Sequence, residues 1–144
     1  EWDTDHQDDP DYVDIQIGDY GRSWNLQAGD PWAIDAGSLD EVGCIHTCQG
    51  LEFEYVGVII GPDLRLEDGE LVTDFRERAS QDQSVRGMKK LSDENPEEAE
   101  RLAEELIKNT YRTLLTRGMQ GCYIYCCDDE LQEYLRQRLD RLQS

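Results

Sequence analysis

The stretch Gly43-Cys44-Ile45-His46-Thr47-Cys48-Gln49-Gly50-Leu51-Glu52-Phe53-Glu54-Tyr55-Val56-Gly57-Val58-Ile59-Ile60-Gly61 contains the longest apolar run of a very acidic chain. Two short apolar segments, Val42–Ile45 and Tyr55–Ile60, flank a polar turn that contains Gly50. Buried parallel strands read as short apolar runs bounded by turn signals, and functional loops sit at strand ends. The reading is strand, loop, strand. The loop residues His46, Thr47, Gln49, Gly50 and Glu52 are too polar to be there for packing alone, which makes them the first candidate site residues.

The chain has 144 residues, the size of one ordinary domain. Apolar residues make up 38% and charged residues 33%, a balance that leaves room for loops or a tail. Fourteen basic residues face 33 acidic ones, for a formal charge of −19. This excludes a whole-chain basic field for nucleic acid. It leaves room for local phosphate contacts, or for a basic partner domain. No apolar run approaches membrane-spanning length and no signal peptide opens the chain, so the expectation is a cytoplasmic protein with no membrane partner. The first residue is Glu, which suggests a piece of a longer protein.

The five cysteines are Cys44, Cys48, Cys122, Cys126 and Cys127. An odd count, mostly inside strand-like runs, fits reduced thiols. Cys44, His46 and Cys48 would share one face of a strand and could converge on a metal. Yet no pair of C-x-x-C knuckles exists, and the adjacent Cys126 and Cys127 suit one zinc poorly, so no metal is expected.

Residues 1–14 carry seven acids and read as a loop or frayed entry. Tyr12–Gly18 alternates apolar and polar residues, as a half-exposed edge strand does. Trp24 and Trp32 sit among Gly, Asn, Asp and Pro, where aromatic side chains pin an irregular connection to the core. Ser38–Val42 suggests a helical turn leading into a strand. Asp68-Gly69 between two alternating runs predicts a hairpin. Residues 76–94 gather Arg76, Arg78, Arg86, Lys89 and Lys90, and read as a solvated, flexible insertion rather than a nucleic-acid-facing one. Asn95-Pro96, followed by Glu97, Glu98 and Glu100, opens a helix: a cap, a proline at the first position, and acids at the positive end of the dipole. Ala99, Leu102, Ala103, Leu106, Ile107, Thr110 and Leu114 keep helical spacing up to a stop at Gly118. Gly121–Cys127 reads as another buried strand. Asp128 or Asp129 then caps a last helix with apolar Leu131, Tyr134, Leu135, Leu139 and Leu142. The pattern is α/β with a mainly parallel sheet.

A second segment with chemistry in it is Asn109–Gly118, which ends in Thr116-Arg117 just before the Cys122 strand. A cation at a helix C-terminus is favoured by the dipole. Its fork can reach a phosphate, or simply cap carbonyls, and spacing alone favours the cap.

His46-Thr-Cys-Gln-Gly-Leu-Glu-Phe-Glu-Tyr-Val56 resembles motif V of superfamily 1 helicases, and Tyr111-Arg-Thr-Leu-Leu-Thr-Arg-Gly118 resembles motif VI. Both occur in the expected order, each at a strand junction. The fuller wording from Gly43 to Leu64 is most similar to the Schlafen-group-3-like DNA/RNA helicase family, and the resemblance covers about residues 24–139. It implies a RecA-like second helicase lobe over 24–144, after an acidic segment over 1–23 and with the flexible insertion at about 76–94. ATP with Mg2+ would lie between this lobe and an N-terminal P-loop lobe of the same protein. Arg117 matches the arginine finger. Glu52 matches the acid that bonds the nucleotide sugar. Gly50 matches the glycine that lets backbone approach phosphates, and Gln49 stands where many relatives have Lys. His46 and Thr47 fall where motif V touches a DNA or RNA backbone, and Thr116 would orient the helix end. Gly118 departs from the common Ala. No Gly-x-x-x-x-Gly-Lys-(Ser/Thr) loop occurs, so this piece alone is expected neither to hydrolyse ATP nor to bind it tightly. The rival reading is a non-motor regulatory or protein-interaction domain on a helicase-like fold, which the acidic charge suits. A metal-binding domain is the third.

Overall fold

The computed structural model describes residues 6, 9, 11–24, 32–79 and 82–143. Most of the acidic entry, and the connection between Trp24 and Trp32, lie outside the described residues. The chain divides into two compact units, Glu1–Glu52 and Phe53–Ser144.

In the first unit, β1 (Ile15–Ile17) and β2 (Tyr20–Trp24) form an antiparallel hairpin, and β3 (Glu41–Val42) joins β2 in parallel through Ser23↔Glu41 and Trp24↔Val42. Gly18 at φ +56 turns the hairpin, a conformation open to glycine at little cost. Asp14 is buried, and its Oδ2 accepts from the Trp24 N–H at 2.8 Å. Trp32 opens a 3-10 turn, Trp32–Ile34, that leads to another, Ala36–Asp40. Its indole N–H donates to Glu41 at 2.7 Å, and its ring lies over Gly43 so closely that a Cβ there would sit 2.2 Å from it. Trp32 thus ties its own turn to Glu41 and Gly43, and Trp24 lies in β2; the connection that the two were expected to pin lies outside the described residues. The strand expected over Val42–Ile45 is shorter. It ends at Val42, and α1 (Ile45–Cys48) begins, because Thr47 closes back on Cys44.

The second unit is built on β4 (Phe53–Ile60) and β7 (Gly118–Cys126), paired in parallel from Phe53↔Gly118 to Ile60↔Cys126. Between them come a hairpin, β5 (Leu64–Glu67) and β6 (Glu70–Thr73), then α2 (Met88–Glu94) and α3 (Pro96–Leu115). The hairpin turns at Asp68 (φ 51) and Gly69 (φ 83), both left-handed, which is the turn that Asp-Gly selects. The helix α4 (Asp129–Gln143) follows β7. Asn95 caps α3 by accepting from the Glu98 N–H, and Pro96 takes its first turn. Every fourth residue of α3 then faces inward: Ala99, Ala103, Ile107 and Tyr111 are buried. Ala103, Ile107 and Tyr111 pack with Val58 and Ile60 of β4, Leu64, Phe75, Cys126 and Leu131 in one core. Asp128 starts α4 by accepting from the Leu131 N–H at 2.9 Å, and the same oxygen accepts from Leu66 N–H at 3.0 Å, which ties β5 to the helix.

The result is mixed α/β with small sheets. The parallel sheet of this unit has two strands among the described residues, not the larger, mainly parallel sheet expected. Its strands also alternate more than their apolar composition implied. Val58, Ile60 and Cys126 point into the core, whereas Tyr55, Tyr123 and Tyr125 on the opposite face are 56%, 72% and 49% exposed. The helix α4 behaves likewise: of its apolar positions Leu131 is buried, but Leu139 and Leu142 are exposed.

The start of β7 is irregular for a steric reason. Phe53 pairs with Gly118 but Tyr55 pairs with Gly121, so β7 holds one extra residue, a bulge. A Cβ on Gly118 would lie 2.2 Å from the Gly121 carbonyl oxygen and 3.1 Å from Val56 Cγ1. Glycine at this position is therefore a packing requirement, and Thr116 rather than Gly118 is the C-cap of α3.

One polar cluster lies inside this core. Asp63, 5% exposed, follows β4 in the turn Gly61-Pro62-Asp63. Its Oδ1 accepts from the Tyr111 hydroxyl, and its Oδ2 accepts from Arg78 at 3.0 Å. The Tyr111 oxygen in turn accepts from the Gly61 N–H at 3.0 Å. Arg78 also donates from Nε to Asp82 at 2.6 Å, and Asp82 accepts from the Ser84 N–H at 2.8 Å. Burial, the Asp63 charge and the bond to Asp63 all push the Tyr111 hydroxyl above the ordinary tyrosine range. Burial works against a charged Arg78, but the bond to Asp82 and the charges of Asp82 and Asp63 outweigh it and keep the cation firmly protonated.

Two predictions follow from this packing. Gly118→Ala should lower stability by about 1–3 kcal/mol or more through overpacking against backbone, whereas Gly57→Ala, with nothing within 4 Å of the new Cβ, should change it by less than about 0.5 kcal/mol; urea unfolding of both checks this. The second concerns alkaline pH. An unfolded tyrosine ionises near pH ~10, and the folded Tyr111 ionises higher, so its contribution is complete below that pH and is lost as pH rises above it. Burial also pushes the Cys126 thiol up to about 11, which erodes stability from a lower pH. Tyr111→Phe should therefore be less stable than wild type at neutral pH, and the gap should narrow above pH ~10.

Candidate functional site

The turn that carries His46 and Thr47 is made by a reciprocal cap. Thr47 Oγ1 accepts from the Cys44 N–H at 3.1 Å and donates to the Cys44 carbonyl at 2.8 Å. Cys44 holds the N-cap place with extended backbone, φ −97° and ψ 173°. The Gln49 N–H closes the turn on the Ile45 carbonyl at 2.8 Å. Gly50, at φ +81°, then turns the chain out of the helix, a left-handed position where a side chain would be strained. His46, Gln49, Gly50 and Glu52 are exposed, and Thr47 is half-buried. The hydroxyl of Thr47 is thus engaged with its own backbone, while His46, Gln49 and Glu52 present side chains to solvent.

Because Cys44, His46 and Cys48 lie along a helical turn, the strand alternation that would have brought them to one face is absent. Among the described residues no group of three or more His, Cys, Asp or Glu side chains could hold a metal ion. Burial raises the Cys48 thiol above its ordinary value, and Cys44 adds to that, against a smaller opposing effect of the Thr47 hydrogen bond. Burial also raises Cys122 and Cys127. All five cysteines are free. Protonated thiols at neutral pH are weak nucleophiles, so neither these three nor Cys126 is built for nucleophilic chemistry.

Arg117 belongs to the second unit, one residue past the C-cap of α3 and one before β7. Its Nε donates to the Thr113 carbonyl at 3.1 Å, and a terminal nitrogen reaches the Thr116 hydroxyl at 3.4 Å. Thr116 Oγ1 lies 3.0 and 3.1 Å from the carbonyls of Arg112 and Thr113. The guanidinium therefore rests on the Thr113 carbonyl, in the last turn of the helix, at the negative end of its dipole. The backbone of Arg117 is fixed from the strand side: its carbonyl accepts from the Phe53 N–H at 2.9 Å. The side chain is half-buried and the chain around it is held at both ends. Chemically this is a cation on a fixed base, with a carbonyl-capping position to rest in.

The sequence-derived residues thus fall in two places. His46, Thr47, Gln49, Gly50 and Glu52 share the α1 turn of the first unit, and Thr116 and Arg117 share the α3–β7 junction of the second. Asp63, Arg78 and Tyr111, and the tyrosine face of β4 and β7, were not singled out as functional from the sequence. A signal for Tyr111 existed: it lies four residues after Ile107 on the buried stripe of α3. No such signal marks Arg78, which reads as one charge of a basic run. No helix among the described residues is long and apolar enough to cross a membrane.

Residues 1–128 match the family described as Schlafen group 3, DNA/RNA helicase domain. A curated relative, the uncharacterized protein YPL245W of Saccharomyces cerevisiae, is 34% identical over 105 residues, which cover 73% of this chain and 22% of the relative. The chain thus spans well under half the length of that relative. No solved structure matches. The match takes in nearly all of the chain, including both the α1 turn and the α3–β7 junction; the chain belongs to the Schlafen group 3 DNA/RNA helicase domain family, and its role is helicase-related.

Proposed function

We propose that the chain is the C-terminal, RecA-like lobe of an ATP-dependent DNA/RNA helicase or related P-loop ATPase, and that Arg117 is its arginine finger. The observation that carries this reading is the placement of Thr116-Arg117: a cation at a helix end, on backbone fixed by the Phe53–Arg117 hydrogen bond, in a chain of a helicase domain family. A helix C-terminus holds the guanidinium by carbonyl bonds of ordinary strength, from which it can turn outward to a phosphate. In the second unit Arg117 would serve as a phosphate partner. In the first unit, taken by itself, Gln49 and Glu52 are exposed and Gly50 leaves room for close backbone approach, as a sugar- and phosphate-binding turn would need. A P-loop lobe of the same polypeptide would supply the phosphate cradle and the Mg2+ ligands. ATP bound there would supply the γ-phosphoryl group that passes to water as ADP leaves; Arg117 would place positive charge beside its oxygens and orient them. His46 and the exposed end of the α1 turn would face a DNA or RNA strand, with Thr47 holding the turn in shape. The five free thiols suit a reducing compartment, the cytoplasm.

A second reading has its own support. Arg22 is the one Lys or Arg among residues 1–52. A turn in so acidic a unit is poorly placed to bind a phosphate backbone by charge. A regulatory or protein-interaction role on a helicase-like fold fits that charge, and nucleic-acid-stimulated ATPase in the intact polypeptide separates the two.

The test of the leading reading is Arg117→Ala in the polypeptide that carries both lobes. Hydrolysis should fall by ~10³–10⁵-fold, while nucleotide binding, read by titration, stays within about threefold. Retained hydrolysis would remove Arg117 from the catalytic role.

A further inference from the structure

The segment between β6 and α2 does more than connect them. It delivers Arg78, whose side chain is 13% exposed, to a carboxylate that is 6% exposed. A continuous hydrogen-bonded path runs from Ser84 through Asp82, Arg78 and Asp63 to Tyr111. Tyr111 lies in the last part of α3, two residues before Thr113, the residue on whose carbonyl Arg117 rests. The Tyr111 hydroxyl uses both its proton and a lone pair here, one for Asp63 and one from Gly61 N–H, so its position is fixed from two sides. Asp63 is fixed as well, since its carbonyl accepts from the Asp74 N–H at 2.9 Å.

We propose that Arg78 is a positioning residue for Arg117: by pairing with Asp63 it holds that carboxylate on the Tyr111 hydroxyl, and so holds the last turn of α3 from which Thr116 and Arg117 emerge. The functional half of this inference rests on the reading of Arg117 as an arginine finger; the structural half does not. The physical reason is the cost of a stranded charge. Without Arg78, Asp63 is a buried carboxylate facing one neutral donor, the Tyr111 hydroxyl. It must take a proton, which weakens its charge-assisted bond to Tyr111, or leave the core, which breaks that bond. The charge of Arg78 is thereby converted into the placement of a residue on another element.

A role confined to the segment itself would look different. If Arg78 merely ties down its own surroundings, removing it frees residues 76–87 and leaves α3 untouched. Hydrogen exchange on the 144-residue chain separates the two. In Arg78→Met, amides of residues 111–117 should lose about tenfold or more in protection, beyond any change in the rest of the core. The double variant Asp63→Asn with Arg78→Met should restore protection at 111–117: no charge is stranded, and the Asn carbonyl still accepts from Tyr111. Arg78→Lys, which keeps the charge but not the fork, should fall between, and it decides the matter if Arg78→Met does not fold. Deprotection restricted to 76–87, deprotection equal throughout Phe53–Ser144, or no rescue in the double variant would each overturn the proposal.

The catalytic consequence is read in the polypeptide with both lobes. Arg78→Met should lower kcat by about tenfold or more with nucleotide KM changed less than about threefold, and the double variant should recover most of it. An unchanged kcat alongside a deprotected α3 would overturn the link to Arg117. Exchange needs no hydrolysis, so a failure there and a failure of the arginine-finger reading, tested by Arg117→Ala, remain distinguishable.

Discussion

Asp63 is a carboxylate placed in the core of a small unit, and the arrangement around it sets much of the rest. A buried charge is tolerated only where its oxygens are satisfied. Here three elements converge to satisfy it. The α3 helix brings the Tyr111 hydroxyl, the segment after β6 brings Arg78, and the turn after β4 brings Asp63 itself. Asp82 completes the set by holding the second edge of the guanidinium. Replacing such a group with an apolar core is energetically easy, so its value lies in specificity: it fixes which residue of α3 meets the end of β4. That registration places Thr116 and Arg117 where β7 begins.

The rest of the second unit follows from having few strands. Two parallel strands give α3 and α4 one face to cover, and the core fills that face with Val58, Ile60, Ala103, Ile107 and Leu131. The opposite face carries Tyr55, Tyr123 and Tyr125, with Tyr55 and Tyr123 ring centres 6.4 Å apart. The amphipathic side chain of tyrosine suits a face that is partly wet. At the same end of the pair, the bulge of β7 turns Gln120 outward, where it bonds the Tyr55 hydroxyl and Glu54. The bulge, Gly118 and the Arg117 carbonyl are therefore one local construction at the junction of helix and strand, and such irregularities commonly adjoin functional positions.

Much of this was legible in the residues, where local chemistry decides the outcome. Asn95-Pro96 with its acids fixed the start of α3, and Asp68-Gly69 fixed a hairpin turn with two left-handed residues. Asp128 and Asp129 were both recognisable as candidate caps, and Asp128 is the one that accepts from the Leu131 N–H. Elsewhere the outcome depends on partners distant in sequence. The apolar run Gly121–Cys127 reads as a fully buried strand, but only one of its faces has a helix layer to meet. Val42–Ile45 reads as a strand, yet a threonine hydroxyl three residues after Cys44 turns its second half into α1. Gly118 looked like a departure from a motif and proves to be the residue that fits against Gly121. Arg78 looked like one charge of a solvated run, because nothing local announces that Asp63 and Tyr111 wait for it. Of the candidate site, the residues and their local settings were readable. The carbonyl cap made by Arg117 is the outcome its spacing favoured; the engagement of Thr47 with backbone was not readable, since it depends on closing a particular turn.

The role proposed for Arg117 is to leave its carbonyl rest and stabilise charge on a transferring phosphoryl group. An interaction of that kind acts on the transition state more than on bound nucleotide. The most direct measurement is the affinity of the two-lobed polypeptide for ADP with aluminium fluoride relative to ADP alone, in wild type and in Arg117→Ala. The account predicts a preference of ~10²-fold or more for the analogue in wild type that collapses in Arg117→Ala while ADP affinity is kept. The same preference in both proteins would contradict it.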